Sequence, residues 1–195
     1  MPPWPYECRP DTKFSAEGIK KPLLKIKINR ASGPDLIPAR ILHDTASELA
    51  VVLSWALFQQ SYDSGTLPYA WKLANICAIF KKGCKADPKN YRPVSLTFLT
   101  SRVREHIVSC QISWHLSTNC IISPQQHGFQ RGLSCETQLI TVIYEWASVL
   151  NVHCQVDVVF LDFAKAFDSV PHERLLLKAD YYGIHNKTNI WLRSF

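Results

Sequence analysis

Apolar residues recur along this chain in two rhythms. From about Ala39 to Ser61, residues Ile41, Leu42, Ala46, Leu49, Leu53, Ala56 and Leu57 fall at the three- and four-residue spacing of a helix face. Asp63, Gly65 and Pro68 end that pattern. Before it, ASGPDLIP (31–38) predicts a turn, because Gly33 and Pro34 break regular structure and Asp35 can bond its own backbone. Residues 74–80 (ANICAIF) form a short apolar run that predicts a strand, closed by Lys81, Lys82 and Gly83. A polar, basic loop follows over 84–93 and ends in Tyr91-Arg92-Pro93. Helical spacing returns from about Ser101 to Leu116, with Val103, Ile107 and Cys110 on one face. It returns again over 136–150 through Leu139, Val142, Ile143, Trp146 and Leu150. Between these helices, QHGFQRGLSCE (126–136) reads as a loop or hairpin.

The sharpest feature is VDVVFLDF (156–163), a near-continuous apolar run that predicts a buried strand ending at Asp162. Asp168 or Ser169 can then cap a helix starting near Pro171. That helix would bury Leu175, Leu176, Ala179 and Tyr182, and stop at Gly183. Helices mixed with short strands make the expected fold class α+β. Residues 1–18, rich in proline and polar groups, read as a loose tail. Residues 19–30 interleave basic and apolar positions, as a solvated amphipathic segment or a phosphate-facing surface does.

Composition changes this picture only modestly. With 47% hydrophobic residues the chain can build a core, which excludes wholesale disorder. Lysine and arginine exceed the acids by 22 to 16, a mild bias toward a polyanionic partner. The seven cysteines are scattered and include no C-x-x-C pair, so free thiols in a reducing compartment are expected rather than a zinc site. The start, Met1-Pro2-Pro3-Trp4-Pro5, has no charged region leading into an apolar one. No run approaches the roughly 18 apolar residues of a membrane span. An intracellular, non-secreted protein is expected.

A carboxylate at the end of a buried strand is costly unless a metal, a cation or backbone donors meet it. Asp162 is therefore the leading functional candidate, against the plainer reading that it bonds the following turn. Asp157 has the opposite parity, so on a regular strand the two acids face opposite ways. Arg92 and Arg131 sit in loops where a guanidinium can reach phosphate bidentately. No H-E-x-x-H or G-x-S-x-G pattern supports a hydrolase.

These strings stand in a familiar order. FLDFAKAFDSVPHERLLLKADYYGI resembles motif A of reverse transcriptases from non-LTR retrotransposons. ASGPDLIP, AIFKKG, NYRPVSL and QHGFQRGLSCETQL resemble the family's upstream finger segments, so the likeness covers roughly residues 19–195. It implies a right-hand polymerase fold, with fingers over about 19–154 and the palm beginning near 155. It also implies an RNA template, a DNA primer, deoxynucleoside triphosphates and Mg2+, with work in the nucleus or cytoplasm and no membrane. Asp162 matches the motif A aspartate that holds magnesium, and Phe163 the next position, whose backbone carbonyl helps coordinate. Phe167 matches the aromatic steric gate that excludes a ribose 2′-hydroxyl. Arg92 and Arg131 match finger segments covering the incoming nucleotide and template.

Four residues depart from the family pattern. Leu36 stands where the family's GPDG has its last glycine, which predicts a strained turn. Arg104 stands where an apolar residue is usual, Gln130 where a basic one is frequent, and Ala179 where leucine is usual. The sequence also contains no glycine-bearing motif B and no Y-x-D-D string. The palm is thus expected to be incomplete, and these residues alone are expected not to polymerise DNA. A non-catalytic module gripping RNA or an RNA–DNA duplex, or a transposon remnant without function, are the alternatives.

Overall fold

A computed structural model describes residues 6–164 and 166–195. Residues 1–5 of the expected tail, and Lys165 of the motif A-like string, lie outside the described residues. The chain divides into two compact units. One comprises Met1–His115 with Leu176–Phe195, and the other Leu116–Leu175. The fold is α+β. The boundary expected near 155 falls inside the second unit.

The first unit is mostly helical. Helix α1 (Ala16–Leu24) starts at Ser15, whose hydroxyl accepts from the Gly18 N–H. It buries Ile19 and Leu23 and turns its lysines outward, as an amphipathic segment should. The helix expected over Ala39–Ser61 is a chain of pieces: α2 (Ala39–Asp44), α3 (Ala46–Val52), a π-helical stretch Leu53–Gln59, and α4 (Gln60–Asp63). The break falls at Thr45, whose hydroxyl bonds the Ile41 carbonyl at 2.6 Å. Break and π stretch rotate the buried face. Leu42, Ala46 and Leu53 are inside as expected, but Ile41 and Leu57 are exposed while Ala50 and Phe58 are buried.

Helix α5 (Leu99–Thr118) extends the expected one by about a turn and buries Leu99, Val103 and Val108; Cys110 is exposed. Helix α8 (Asn186–Arg193) completes the core with Trp191. Strands β1 (Asn75–Phe80) and β2 (Tyr91–Leu96) form an antiparallel hairpin, with Phe80 opposite Tyr91 and Ile79 opposite Arg92. The expected loop therefore ends sooner, since residues 91–93 are strand. Their strand character comes from pairing with β1, a non-local cause that a local polar pattern hides.

Residues 6–15 are not a loose tail. Arg9, Thr12 and Phe14 are buried. The Arg9 guanidinium donates to Gln111 Oε1 (3.0 Å), Thr12 Oγ1 (3.0 Å), Tyr62 Oη (3.3 Å) and Thr188 Oγ1. Its backbone N–H bonds the Gly183 carbonyl at 2.8 Å. Composition misled here because an arginine can be an anchor when hydroxyls and an amide surround it.

The ASGPD turn carries the anticipated strain. Leu36 has φ 55° and is exposed, while its N–H bonds the Gly33 carbonyl at 3.1 Å. A Cβ on Gly33 would stand 2.6 Å from the Thr97 carbonyl oxygen, so only glycine lets the turn seat there. Leu36→Gly is expected to stabilise the chain by about 1 kcal/mol, by removing a left-handed Cβ clash from a side chain that buries little. Urea denaturation checks this; an unchanged or lower midpoint would show the turn to be unstrained.

In the second unit, helix α6 (Cys135–Asn151) matches its expectation. The run 156–163 does not. It has no strand structure, and Val159, Phe160, Leu161 and Phe163 are exposed. A buried strand needs neighbours to take its N–H and C=O groups, and among the described residues the only ladder is β1–β2. Helix α7 (His172–Tyr181), whose residues from Leu176 onward belong to the first unit, starts one residue after Pro171. Leu176 is buried and Ala179 and Tyr182 partly so, but Leu175 is exposed. No helix among the described residues is long and apolar enough to cross a membrane.

Candidate functional site

In the second unit, residues 126–134 make two successive turns, with the Gln130 N–H on the His127 carbonyl and the Leu133 N–H on the Gln130 carbonyl. Phe129 (φ 61°) and Gly132 (φ 79°) take the left-handed conformations that turning requires. The turns are tied to the start of α6. Ser134 and Thr137 form a reciprocal cap, and His127 Nδ1 lies 2.9 Å from Thr137 Oγ1. The Ser134 hydroxyl, ahead of the residue's own backbone N–H, holds the exposed Glu136 carboxyl below its usual range. Arg131 is thereby presented in solvent just before a helix N-terminus.

Phe167 packs edge-on against Phe129, with ring centroids 6.0 Å apart and an 84° interplanar angle. The contact joins two sequence segments that were expected to belong to one site. Phe129 was not singled out as a site residue; its place inside QHGFQRG was the available signal. Asp162 and Phe163 stand exposed in the irregular stretch before it. Asp157 accepts from Gln155 Nε2 at 2.8 Å.

Magnesium takes oxygen ligands, and the Asp162 carboxylate and Phe163 carbonyl are donors of that class. Among the described residues, however, no three His, Cys, Asp or Glu side chains gather as a metal set. The donors in hand do not complete a site for two ions.

Arg92 belongs to the first unit. It sits exposed on β2, in a hairpin that also displays Lys81, Lys82, Lys85 and Lys89 against one acid, Asp87. Asp87 is occupied in capping the Lys89 N–H at 2.9 Å. An open cavity of 490 Å³ lies on this hairpin, lined by Lys85, Tyr91 and Pro93 among others. Arg102 ties the end of β2 to α5, donating to Ser95 O (2.8 Å) and Thr97 Oγ1 (2.9 Å). Burial, then the nearby Arg30, pushes its pKa below the usual arginine value. The hairpin is a ready cationic surface for a phosphate backbone. Sequence reading treated its lysines as loop residues and missed their gathering on one hairpin.

A family model described as reverse transcriptase (RNA-dependent DNA polymerase) matches residues 79–195. The chain is similar to the probable RNA-directed DNA polymerase from transposon X-element of Drosophila melanogaster, 29% identical over 182 residues. That match covers 90% of this chain and 20% of the relative. It is 30% identical over 175 residues to the RNA-directed DNA polymerase from mobile element jockey of the same fly, covering 87% and 19%. A third relative is the retrovirus-related Pol polyprotein from type-1 retrotransposable element R1 of Bradysia coprophila, 26% identical over 178 residues, covering 88% and 17%. The chain thus spans about a fifth of the length of these relatives.

Proposed function

Because this chain belongs to the reverse transcriptase (RNA-dependent DNA polymerase) family, we propose that it is the finger region and first palm segment of a non-LTR transposon's RNA-directed DNA polymerase. The observation that carries the reading is the Phe167–Phe129 contact, which seats the gate-like ring of one family segment on the turn of another. Asp162 is the residue for magnesium, with the Phe163 carbonyl beside it. Bound there, magnesium would supply the charge stabilisation that nucleotidyl transfer needs, with Asp162 and the Phe163 carbonyl as the ligands these residues would contribute. With a single such carboxylate in hand, these 195 residues alone are expected to incorporate no nucleotide.

Within this reading Phe167 excludes ribonucleotides by crowding a 2′-hydroxyl, and Phe129 keeps its ring from swinging away. Arg131 meets the triphosphate or template, and the β1–β2 hairpin with Arg92 meets backbone phosphates. The template–primer duplex is held by shape and charge rather than by base identity.

Binding of an RNA–DNA duplex, followed by fluorescence anisotropy across a salt series, tests the hairpin's part. The affinity should fall steeply with salt. A chain carrying Lys82→Glu, Lys85→Glu and Lys89→Glu should bind at least about 10-fold more weakly, with the log–log salt slope reduced by about 2–3. An unchanged slope would remove the hairpin from the interface, and no binding by the parent chain would leave the region without a grip on nucleic acid.

A further inference from the structure

The basic hairpin has two unlike faces. In its register Ala78 lies opposite Pro93 and Phe80 opposite Tyr91, so these four share one face, while Ile79 and Arg92 share the other. The loop between the strands folds over the first face, and Ala78, Lys85, Ala86, Pro88, Tyr91 and Pro93 together line the open cavity of 490 Å³. Three hydrogen bonds hold that loop in place. The Asn90 side-chain N–H donates to the Cys84 carbonyl at 2.9 Å, the Tyr91 hydroxyl to the Lys85 carbonyl at 2.9 Å, and the Lys81 N–H to the Asn90 carbonyl at 2.8 Å.

The lining is chemically selective. Its two alanine and two proline side chains offer no hydrogen-bonding group. Tyr91 adds a ring fixed twice, by its hydroxyl bond and by edge-on packing on Phe80, with centroids 5.5 Å apart at 61°. Lys85 adds an ammonium 5.8 Å from the Phe80 ring centroid. Around them the hairpin carries Lys81, Lys82, Lys85, Lys89 and Arg92 against Asp87 alone. A fitting occupant is flat, apolar across its face, able to leave its polar edge in solvent, and joined to negative charge. An unpaired nucleobase on its phosphate chain has each of these properties. A base inside a duplex does not, because its neighbours cover both of its faces.

Resting on the reading that this hairpin meets nucleic-acid phosphates, we propose that the cavity holds one unpaired base of a single-stranded RNA. The base stacks on the Tyr91 ring between the alanine and proline walls, and the Lys85 ammonium meets an adjoining phosphate. With Lys85 engaged on phosphate and the walls apolar, nothing reads the base edge, so the site accepts any base. The loop bonds shape the cavity in advance, so little order is lost on binding. The hairpin then grips single strand more tightly than duplex, because stacking adds to charge.

The test is fluorescence anisotropy of the 195-residue protein with an RNA octamer, with its abasic counterpart that keeps every phosphate, and with a blunt RNA–DNA duplex, all at one salt concentration. The parent chain should bind the octamer at least about 5-fold more tightly than the abasic strand. Tyr91→Ala should bring the two strands to within about 2-fold of each other and leave duplex affinity unchanged. Ala86→Leu, which fills the cavity and spares the Tyr91 ring, should do the same, and it decides should Tyr91→Ala unfold the hairpin, which far-UV circular dichroism reads. Lys82→Glu, Lys85→Glu and Lys89→Glu together should weaken all three ligands. Failure of the charge reading therefore shows in that variant, and failure of the cavity shows in the octamer-to-abasic ratio. A parent chain that binds both strands equally, or a folded Ala86→Leu chain that keeps the full ratio, would overturn the proposal. So would displacement of the octamer by a millimolar mononucleotide, which would make the occupant a free nucleotide.

Discussion

Replacing Arg104 by methionine is expected to raise the stability of the first unit by about 1–3 kcal/mol, an unusual gain for a buried substitution. Arg104 is fully buried on α5. Its guanidinium is flanked by Trp71 and Trp191, 4.2 and 4.7 Å from the ring centroids. Nη1 donates to Ser61 Oγ at 2.6 Å, but Nε and Nη2 have no hydrogen-bond partner. Among the described residues no carboxylate forms an ion pair with it. Burial brings its pKa down to about 9, only partly countered by Glu105. The two indole faces return up to about 2 kcal/mol each when desolvated, which offsets part of that cost. Methionine keeps most of the volume, still contacts the aromatic rings, and carries neither charge nor unmet donors.

The pH dependence carries a signature. Below about pH 9 the arginine is charged in both folded and unfolded chains, and the full burial penalty applies. Between about 9 and the ordinary, much higher arginine range, the unfolded chain binds the proton more strongly. Parent stability attributable to Arg104 therefore rises with pH, and the advantage of Arg104→Met should shrink between pH 8 and 10.5. Paired guanidinium melts across that range check it. A methionine chain less stable at pH 7 would mean that the two indoles outweigh the desolvation.

Arg9→Ala is expected to act the other way, costing about 3 kcal/mol. Arg9 is the hub of a buried set: Tyr62 Oη bonds Thr188 Oγ1 at 2.5 Å and takes the Thr12 N–H at 3.1 Å, and Thr12 Oγ1 donates to Gln111 Oε1 at 2.7 Å. One guanidinium thus ties residues 9–12 to α4, α5 and α8. Its loss removes several charge-assisted hydrogen bonds and leaves a cavity beside hydroxyls that can only partly re-pair. Hydrogen exchange should show loss of protection spreading over residues 6–15 and α8. A loss below about 0.5 kcal/mol, with exchange unchanged, would show the network to be dispensable.

The neighbouring Asp63–Lys187 pair, 2.5 Å apart, is a weaker tie because both side chains are substantially exposed. The Lys187 hydrogen bond, ahead of Gln59, lowers the Asp63 pKa, while that same bond raises the pKa of Lys187. Its stabilisation is present between those ranges. It fades as pH falls through the lowered Asp63 value and as it rises through the raised Lys187 value.

Arg104 and Leu36 also show what the sequence makes legible. Both stood out as the wrong residue type for their place, and the structure gives each a physical cost: unmet donors in one case and φ 55° in the other. Helices α5 and α6 were readable because their spacing is local. Strand β2 and the tail around Arg9 were not, because their order comes from β1 and from hydroxyls on distant helices. The run 156–163 shows the converse. Its composition is that of a strand, but strand structure needs a partner, and none pairs with it among the described residues. Of the site, the order of motifs was legible. The Phe129–Phe167 contact was not, because it depends on a left-handed turn between two glycines.

The central claim, that Asp162 serves polymerisation, is tested most directly by primer extension on an RNA template with magnesium. The enzyme is a jockey-type polymerase whose stretch matching residues 79–195 is replaced by this chain's. DNA synthesis that falls by about 10³-fold or more in the Asp162→Ala version is the predicted result. Extension indifferent to Asp162→Ala, or no extension by a folded chimaera, would contradict it.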